Sequence, residues 1–91
     1  MAWTIYILQC ADGSLYTGIT TNLARRMNEH ESGIKGARYT NGRGPFQLMY
    51  QAHCRDRAEA SKLEISIKAL SRTKKLALIS QQTNTHLQID D

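Results

Sequence analysis

The turn at Asp12-Gly13 constrains the fold more than any other feature of this sequence. Residues 3–10 before it and residues 15–18 after it are mostly apolar, β-branched or aromatic. An Asp-Gly pair between two such runs is a strong signal for a tight β-hairpin. The hairpin brings Tyr6 and Tyr16 near the same turn, where they either pair across it or face a common surface. We therefore expect the chain to begin with two antiparallel strands that carry two phenol groups.

A helix is predicted between an N-cap at Thr20 or Thr21 and its end near Gly33. One face of it is formed by positions spaced i, i+3, i+4 and i+7, namely Leu23, Arg26, Met27 and His30. Arg26 is thus a charge within an apolar stripe. Either its long side chain reaches solvent or it is a cation held at a cleft.

The second half of the chain predicts one more strand and two more helices. Residues 46–54 alternate in the manner of a strand, and Asp56 with Glu59 forms a capping pattern that begins a helix. The apolar stripe of this helix is expected to contain Ala60, Leu63, Ile67 and Leu70. Ser71 or Thr73 then caps a short third helix.

This order of elements, strand, strand, helix, strand, helix, helix, favours a small α+β layer fold. A chain of 91 residues supports a single core. We expect residues 1–82 to form one domain and the polar residues 83–91 to form a flexible C-terminal tail.

The charge balance indicates a polyanionic partner. The net charge is +4 and the isoelectric point is near 9.3. Without Asp90 and Asp91 at the C-terminal end, 12 basic and 6 acidic residues remain, so the body of the protein carries +6. Nucleic acid is the partner class that such an excess favours, and a protein-interaction domain without nucleic acid is disfavoured.

The two cysteines and the apolar runs indicate a cytoplasmic protein. Cys10 and Cys54 lie far apart and without clustered histidines, so they do not supply the ligands of a zinc site. Free buried thiols in a reducing compartment are expected. No stretch approaches the length of a membrane span, and the short run Trp3 to Leu8 is expected to be a buried strand rather than a secretory signal.

The glycine-rich segment 33–45 is a candidate surface for nucleic acid. It contains the cations Lys35, Arg38 and Arg43 but no acid. These side chains are expected to contact phosphates, and Tyr39 is available to stack on a base. An ordinary solvated loop is the alternative.

Two charges break the apolar faces of their helices in the same way. Arg26 in the first helix and Glu64 in the second both lie on the side expected to face the sheet. They form a buried ion pair with each other, or Glu64 pairs with Lys68 one turn later, or both charges meet Tyr6 and Tyr16 at one edge. In the last case the carboxylate is a candidate ligand for Mg²⁺, which takes one or two carboxylates.

The ordered set Thr4-Ile5-Tyr6, Tyr16-Thr17-Gly18, Arg26 and Glu64 resembles the signature of the GIY-YIG nuclease superfamily, in particular its small stand-alone bacterial members. The resemblance covers roughly residues 3–80. The string from Lys35 to Thr40 in the loop is also similar to the branched-DNA-resolving members.

This resemblance implies a three-stranded antiparallel sheet flanked by helices, and hydrolysis of DNA phosphodiesters with one metal ion, Mg²⁺ or Mn²⁺. Carried over to this sequence, Tyr6 orients or deprotonates the attacking water and Tyr16 supports it. Arg26 stabilises charge on the phosphoryl oxygens, and Glu64 holds the metal. A tyrosine has a pKa of about 10, so a nearby cation, either Arg26 or Lys35, is needed to lower it.

The expected activity is a structure-selective or weakly specific endonuclease in DNA repair or recombination. Branched or single-stranded DNA is the favoured substrate, because a small domain has little surface for sequence reading, and a protein partner is able to supply specificity. His30, at a helix end, is expected at the surface as a cap or as a further contact to nucleic acid. The alternative is a nucleic-acid-binding module with the same fold and little catalysis. It is favoured by Thr4 in the place of a glycine and by Asn84 as the one asparagine after Glu64.

Overall fold

The structure is a computed structural model that describes residues 2–33 and 42–90, with side chains described as far as Gln82. The elements are β1 Trp3–Gln9, β2 Leu15–Thr20, α1 Leu23–Ser32, β3 Gln47–Cys54, α2 Arg57–Lys68 and α3 Arg72–Asp90. The three strands form one antiparallel sheet in the order β2-β1-β3. The α+β fold and the element order expected from the sequence are confirmed.

The hairpin forms at the Asp12-Gly13 turn. The amide of Gly13 donates to the carbonyl of Cys10 at 2.9 Å, and the amide of Cys10 donates to the carbonyl of Ser14 at 2.8 Å. Gly13 has φ of 85°, a left-handed conformation that glycine adopts without steric cost. The Asp12 carboxylate accepts from the amide of Ser14 at 3.0 Å, which closes the turn.

The central strand β1 is buried on both faces, from Thr4 to Leu8. On one face, helix α2 packs against β1 and helix α3 packs against β3, and they share a core formed by Ile5, Ile7, Cys54, Ala60, Ile67 and Ile79. On the other face, Tyr6 meets the side chain of His30 from α1. Cys10 and Cys54 are both buried and free, as the sequence predicted.

The first helix begins later than the sequence suggested. Its N-cap is Asn22, whose side chain accepts from the amide of Arg25 at 3.0 Å, rather than Thr20 or Thr21. Thr20 is still part of β2, and its hydroxyl accepts from the amide of Asn22 at 3.1 Å. The threonine thus closes the turn before the helix. The predicted cap at Asp56 and the predicted helix end at Gly33 are both found.

The third helix is longer than the short helix expected, since it extends from Arg72 to Asp90. Its polar second half has no apolar stripe, but Gln82 attaches it to the edge of the sheet. The Gln82 side-chain amide donates to the carbonyl of Gln51 in β3 at 2.8 Å. The division between residues 1–82 and 83–91 remains a prediction, and the side chains from residue 83 onwards lie outside the described residues. No helix in the described ranges is both long and apolar enough to cross a membrane.

Candidate functional site

The strand register places the two tyrosines on one face of the hairpin. Tyr6 is opposite Gly18, and Leu8 is opposite Tyr16. Because cross-strand partners project to the same side, Tyr6 and Tyr16 are diagonal neighbours, with ring centroids 6.4 Å apart. The sequence left two arrangements open, and the common surface is the one found.

Gly18 makes room for the buried ring of Tyr6. A Cβ atom at Gly18 would lie 2.5 Å from the Tyr6 hydroxyl, 2.7 Å from its Cζ and 3.1 Å from Cε2 of Tyr16. These distances are too short for any side chain without movement of the rings. A glycine inside a strand often marks such a close approach, and the sequence carried this signal.

His30 completes the cluster from the last turns of α1. Its Nε2 lies 2.9 Å from the Tyr6 hydroxyl, and its ring is 5.4 Å from that of Tyr16. The residue is only 2 % exposed. The expectation of a surface residue at the helix end is therefore wrong, and His30 offers little area for a contact to nucleic acid. Its position in the apolar stripe of α1 was the available signal.

Arg26 links the buried tyrosine to the surface. Its guanidinium donates a hydrogen bond to the Tyr6 hydroxyl and pairs with Glu29 at 2.9 Å. Partial burial alone would lower the pKa of Arg26, but the hydrogen bonds to Glu29 and Tyr6 raise it. With 23 % of its side chain exposed, the permanent cation remains accessible to an anion.

Burial, rather than the neighbouring cation, determines the ionisation of Tyr6. Burial raises the pKa of Tyr6 from 10.0 to about 12. The hydrogen bond and charge of Arg26 act in the opposite direction, and the negative charge of Glu64 raises the pKa further. Of the two cations that the sequence offered, Arg26 does lower the pKa of Tyr6, but burial outweighs it, and Lys35 lies outside the described residues. The Tyr6 phenol is neutral at physiological pH, so it is a poor base.

The charge state and the tautomer of His30 together set the direction of its hydrogen bond with Tyr6. Burial, followed by the charge of Arg26, lowers the pKa of His30. A neutral imidazole accepts at the ring nitrogen that carries no proton, and we assign the Nδ1–H tautomer, in which Nε2 accepts from the Tyr6 hydroxyl while that hydroxyl accepts from Arg26. Tyr6 thus holds the cation and the imidazole in fixed positions. Tyr16, which is only partly buried, is the more accessible phenol.

Glu64 lies on the sheet side of α2, as the sequence predicted, but Leu63 does not. The Leu63 residue is 40 % exposed, whereas the Glu64 side chain is 23 % exposed. The inward face of α2 thus follows the spacing of Ala60, Glu64 and Ile67. The prediction that Leu63 belongs to the buried apolar stripe is therefore wrong. Its place toward the sheet is taken by a carboxylate.

The ion pairs distinguish between the alternatives for the two helix charges. Glu64 pairs with Lys68 at 3.5 Å, while Arg26 pairs with Glu29. The Arg26–Glu64 ion pair is replaced by these two local pairs. The charge of Glu64 still acts on the Tyr6 hydroxyl, so the carboxylate belongs to the same electrostatic neighbourhood as the tyrosines.

The donor set fits a divalent ion held by one carboxylate. Within residues 2–33 and the described side chains from 42 onwards, no group of three acidic, histidine or cysteine side chains comes together. Mg²⁺ often takes one or two carboxylates and completes its shell with water and substrate phosphates. Glu64 satisfies that requirement with part of its carboxylate side chain exposed. The side chain of Asn84 lies outside the described residues.

The predicted nucleic-acid loop is described only in part. Lys35, Arg38 and Tyr39 lie outside the described residues. Arg43 is described, and its guanidinium pairs with Asp12 at 2.6 Å. This pair ties the segment before β3 to the hairpin turn and compensates the charge that was expected to contact phosphate.

This sequence has Thr4 in the place of the first glycine of the resembled signature and Thr17 in the place of the isoleucine of its second triplet, and both strands remain intact. Thr4 is buried in β1, with its hydroxyl 3.5 Å from Nδ1 of His53. Thr17 is buried in β2 opposite Ile7, and its hydroxyl has no hydrogen-bond partner in the described structure. Threonine is compatible with a strand at both positions, but at Thr17 it buries an unpaired polar atom.

Comparisons with known proteins agree with the resemblance. The model of the GIY-YIG catalytic domain matches residues 2–77. The UPF0213 protein DP2720 of Desulfotalea psychrophila is 63 % identical over 78 residues, which are 86 % of this chain and 71 % of that protein.

Two solved solution structures are also similar. The UPF0213 protein BH0048 from Bacillus halodurans is 49 % identical with a TM-score of 0.59, covering 89 % of this chain and 85 % of that one. The protein EF2693 from E. faecalis is 36 % identical with a TM-score of 0.62, covering 96 % and 88 %.

Proposed function

This chain belongs to the GIY-YIG catalytic domain family, a family of nucleases, and we propose that it is a metal-dependent DNA endonuclease. The observation that carries the proposal is the buried contact between Tyr6 and His30, which holds Arg26 beside the partly exposed Tyr16. A fixed cation next to a phenol is an arrangement that a phosphodiester is able to use. Phosphoryl transfer depends mainly on positioning and on stabilisation of charge.

Arg26 is the residue proposed to bind the phosphoryl oxygens. Its guanidinium is permanently charged and partly exposed, and Glu29 and Tyr6 restrict its orientation. A pre-oriented cation stabilises developing negative charge without reorganisation during the reaction. This role needs no proton transfer by Arg26.

The two tyrosines have different proposed roles. Tyr6 is fully buried and neutral, so we assign it to the positioning of Arg26 and His30 rather than to deprotonation of water. Tyr16 is partly exposed on the same face, and its hydroxyl is the one available to orient water or phosphate. This assignment exchanges the roles that the resemblance alone suggested.

Glu64 is the proposed ligand of the metal ion, Mg²⁺ or Mn²⁺. When bound, such an ion supplies charge neutralisation and a Lewis acid next to the phosphate. Lys68 pairs with Glu64 and compensates its charge in the protein alone.

The proposed substrate is DNA whose shape, rather than sequence, is recognised, in repair or recombination. A small domain reads few bases, so branched or single-stranded DNA, or a protein partner that supplies specificity, is favoured. We propose a cytoplasmic location, in agreement with the two free cysteines.

The test is cleavage of labelled flap, junction, single-stranded and duplex DNA with Mg²⁺ or with EDTA. Glu64→Gln and Arg26→Lys are each expected to lower the rate at least about 100-fold, because they remove a charge or a bidentate donor. Glu59→Gln on the same helix and Arg25→Lys next to Arg26 are the matched controls, expected to stay near wild type. Cleavage that persists in EDTA, or in both site variants, contradicts the proposal.

One observation favours the second candidate, a binding module with little catalysis. The raised pKa of Tyr6 removes the tyrosine that the resemblance designates for deprotonating water. Tight DNA binding by the wild-type protein with no Mg²⁺-dependent cleavage of any of the four substrates would favour this second function over the first.

A further inference from the structure

Three cations in the first turn of α3 form a surface that we name the α3 basic patch: Arg72, Lys74 and Lys75. Arg72 and Lys74 are exposed and Lys75 is partly exposed. Within the described residues, none of the three forms an ion pair. Other cations do, as in the pairs Arg25–Glu29, Arg26–Glu29, Arg43–Asp12, Arg55–Glu59 and Lys68–Glu64.

The patch does not serve the stability of the fold. No acid occurs between residues 65 and 82, so the three charges repel one another without local compensation. Cations in the first turn of a helix also oppose its dipole. Helix α2 shows the stabilising arrangement instead, with Glu59 in its first turn and Lys68 in its last. Clustered charge that destabilises a helix requires another reason.

The patch lies a short distance along the chain from the candidate site. Lys68, the last residue of α2, has its ammonium 3.5 Å from the Glu64 carboxylate. Arg72 follows four residues later, so its Cα is at most about 14 Å from that of Lys68. One DNA strand rises 3.4 Å per nucleotide, and about four nucleotides therefore span this distance.

We propose that the α3 basic patch binds backbone phosphates of the DNA strand, within about four nucleotides of the bond held at Glu64. The inference rests on the proposed function and adds a contact surface separate from the loop 33–45. The contacts are made by the side chains, not by the amides of the helix end. They are independent of base sequence because only phosphates are bound.

The test measures DNA binding in EDTA, so that cleavage does not interfere. Fluorescence anisotropy of a labelled single-stranded oligonucleotide and of a flap is recorded from about 50 to 200 mM salt. The triple variant Arg72→Ala, Lys74→Ala, Lys75→Ala is compared with wild type. Lys62→Ala, which removes an exposed cation from α2, is the matched control for a single lost charge.

The triple variant is expected to bind at least about tenfold more weakly at the lowest salt concentration. Its slope of log affinity against log salt should be smaller by about 2, since each lost phosphate contact contributes 0.7 to 0.9. Lys62→Ala should keep the wild-type slope. The charge reversal Lys74→Glu should reduce the slope by about 1 or more. If the triple variant does not fold, this single variant tests whether the patch binds DNA.

Two results would overturn the inference, and they differ in whether the proposed function survives. If wild type binds and cleaves DNA but the patch variants keep its affinity and slope, the patch is not a contact and the proposed function survives. If wild type binds none of the DNAs, both the patch and the proposed function are refuted.

Discussion

Replacement of Tyr6 by phenylalanine removes one oxygen atom from a fully buried contact and leaves the ring in place. In the tautomer assigned to His30, the hydroxyl donates to its Nε2 at 2.9 Å and accepts from Arg26. Without it, the imidazole Nε2 of a residue that is 2 % exposed is left without its donor. An unsatisfied buried polar group costs about 1 to 3 kcal/mol, so the free energy of unfolding should fall by about 2 kcal/mol. For a domain of this size the melting temperature then falls by roughly 8 to 16 °C.

The assay is urea unfolding followed by the fluorescence of Trp3, the one tryptophan in the chain. The m-value should not change, because the ring volume and the buried area are kept. Tyr50→Phe is the matched control: Tyr50 packs against the core, and its hydroxyl has no hydrogen bond within the described residues. The control should differ from wild type by less than about 0.5 kcal/mol.

A second readout distinguishes the lost hydrogen bond from a general loosening. The Tyr6 hydroxyl stabilises the neutral form of His30, so its removal should raise the pKa of the imidazole, as measured by NMR titration of the ring. Equal stability of Tyr6→Phe and Tyr50→Phe, or a His30 pKa that does not rise, would refute the assignment of donor and acceptor.

Three further changes test other parts of the same region. Gly18→Ala places a Cβ atom 2.5 Å from the Tyr6 hydroxyl and should destabilise the fold by about 1 to 3 kcal/mol and break the contact to His30, as seen by NMR. Thr17→Val removes the unpaired buried hydroxyl and should raise the free energy of unfolding by about 1 kcal/mol, whereas Thr17→Ser, which keeps the hydroxyl, should not. Because the folded-state pKa of Tyr6 is raised from 10.0 to about 12, its contribution to stability is fully present below pH 10 and is lost as the pH rises toward 12. The stability difference between wild type and Tyr6→Phe should therefore shrink by on the order of 2 kcal/mol between these pH values, and a constant difference would contradict the raised pKa.

The length of α3 could not be predicted from the local sequence pattern, because a tertiary contact contributes to it. Beyond Ile79 the sequence is polar and lacks an apolar stripe, so the expected helix was short. The bonds between Gln82 and the backbone of Gln51 lie 31 positions apart in sequence, and no window along the chain reveals them. They hold the helix to the exposed edge of β3, where backbone groups lack another strand.

Glu64 and Leu63 show the limit of helical periodicity. Spacing identifies which residues share a face, but adjacent residues differ by only about 100° around the axis. Both positions were expected on the inward side of α2, and only Glu64 is found there. The packing of α2 against the sheet selects the register of Ala60 and Ile67, and that register turns Glu64 inward.

The hairpin, the order of the elements and the resemblance that the family match confirms could all be predicted from the amino-acid sequence. These depend on local chemistry: the turn at Asp12-Gly13, the alternation that gives Tyr6 its face, and the cap at Asp56. The chemical state of the candidate site, in contrast, depends on how the elements pack together. Burial raises the pKa of Tyr6 and lowers that of His30, and burial is set by partners from other elements. A phenol that looked like a base in the sequence is therefore a hydrogen-bonded support for Arg26 in the fold.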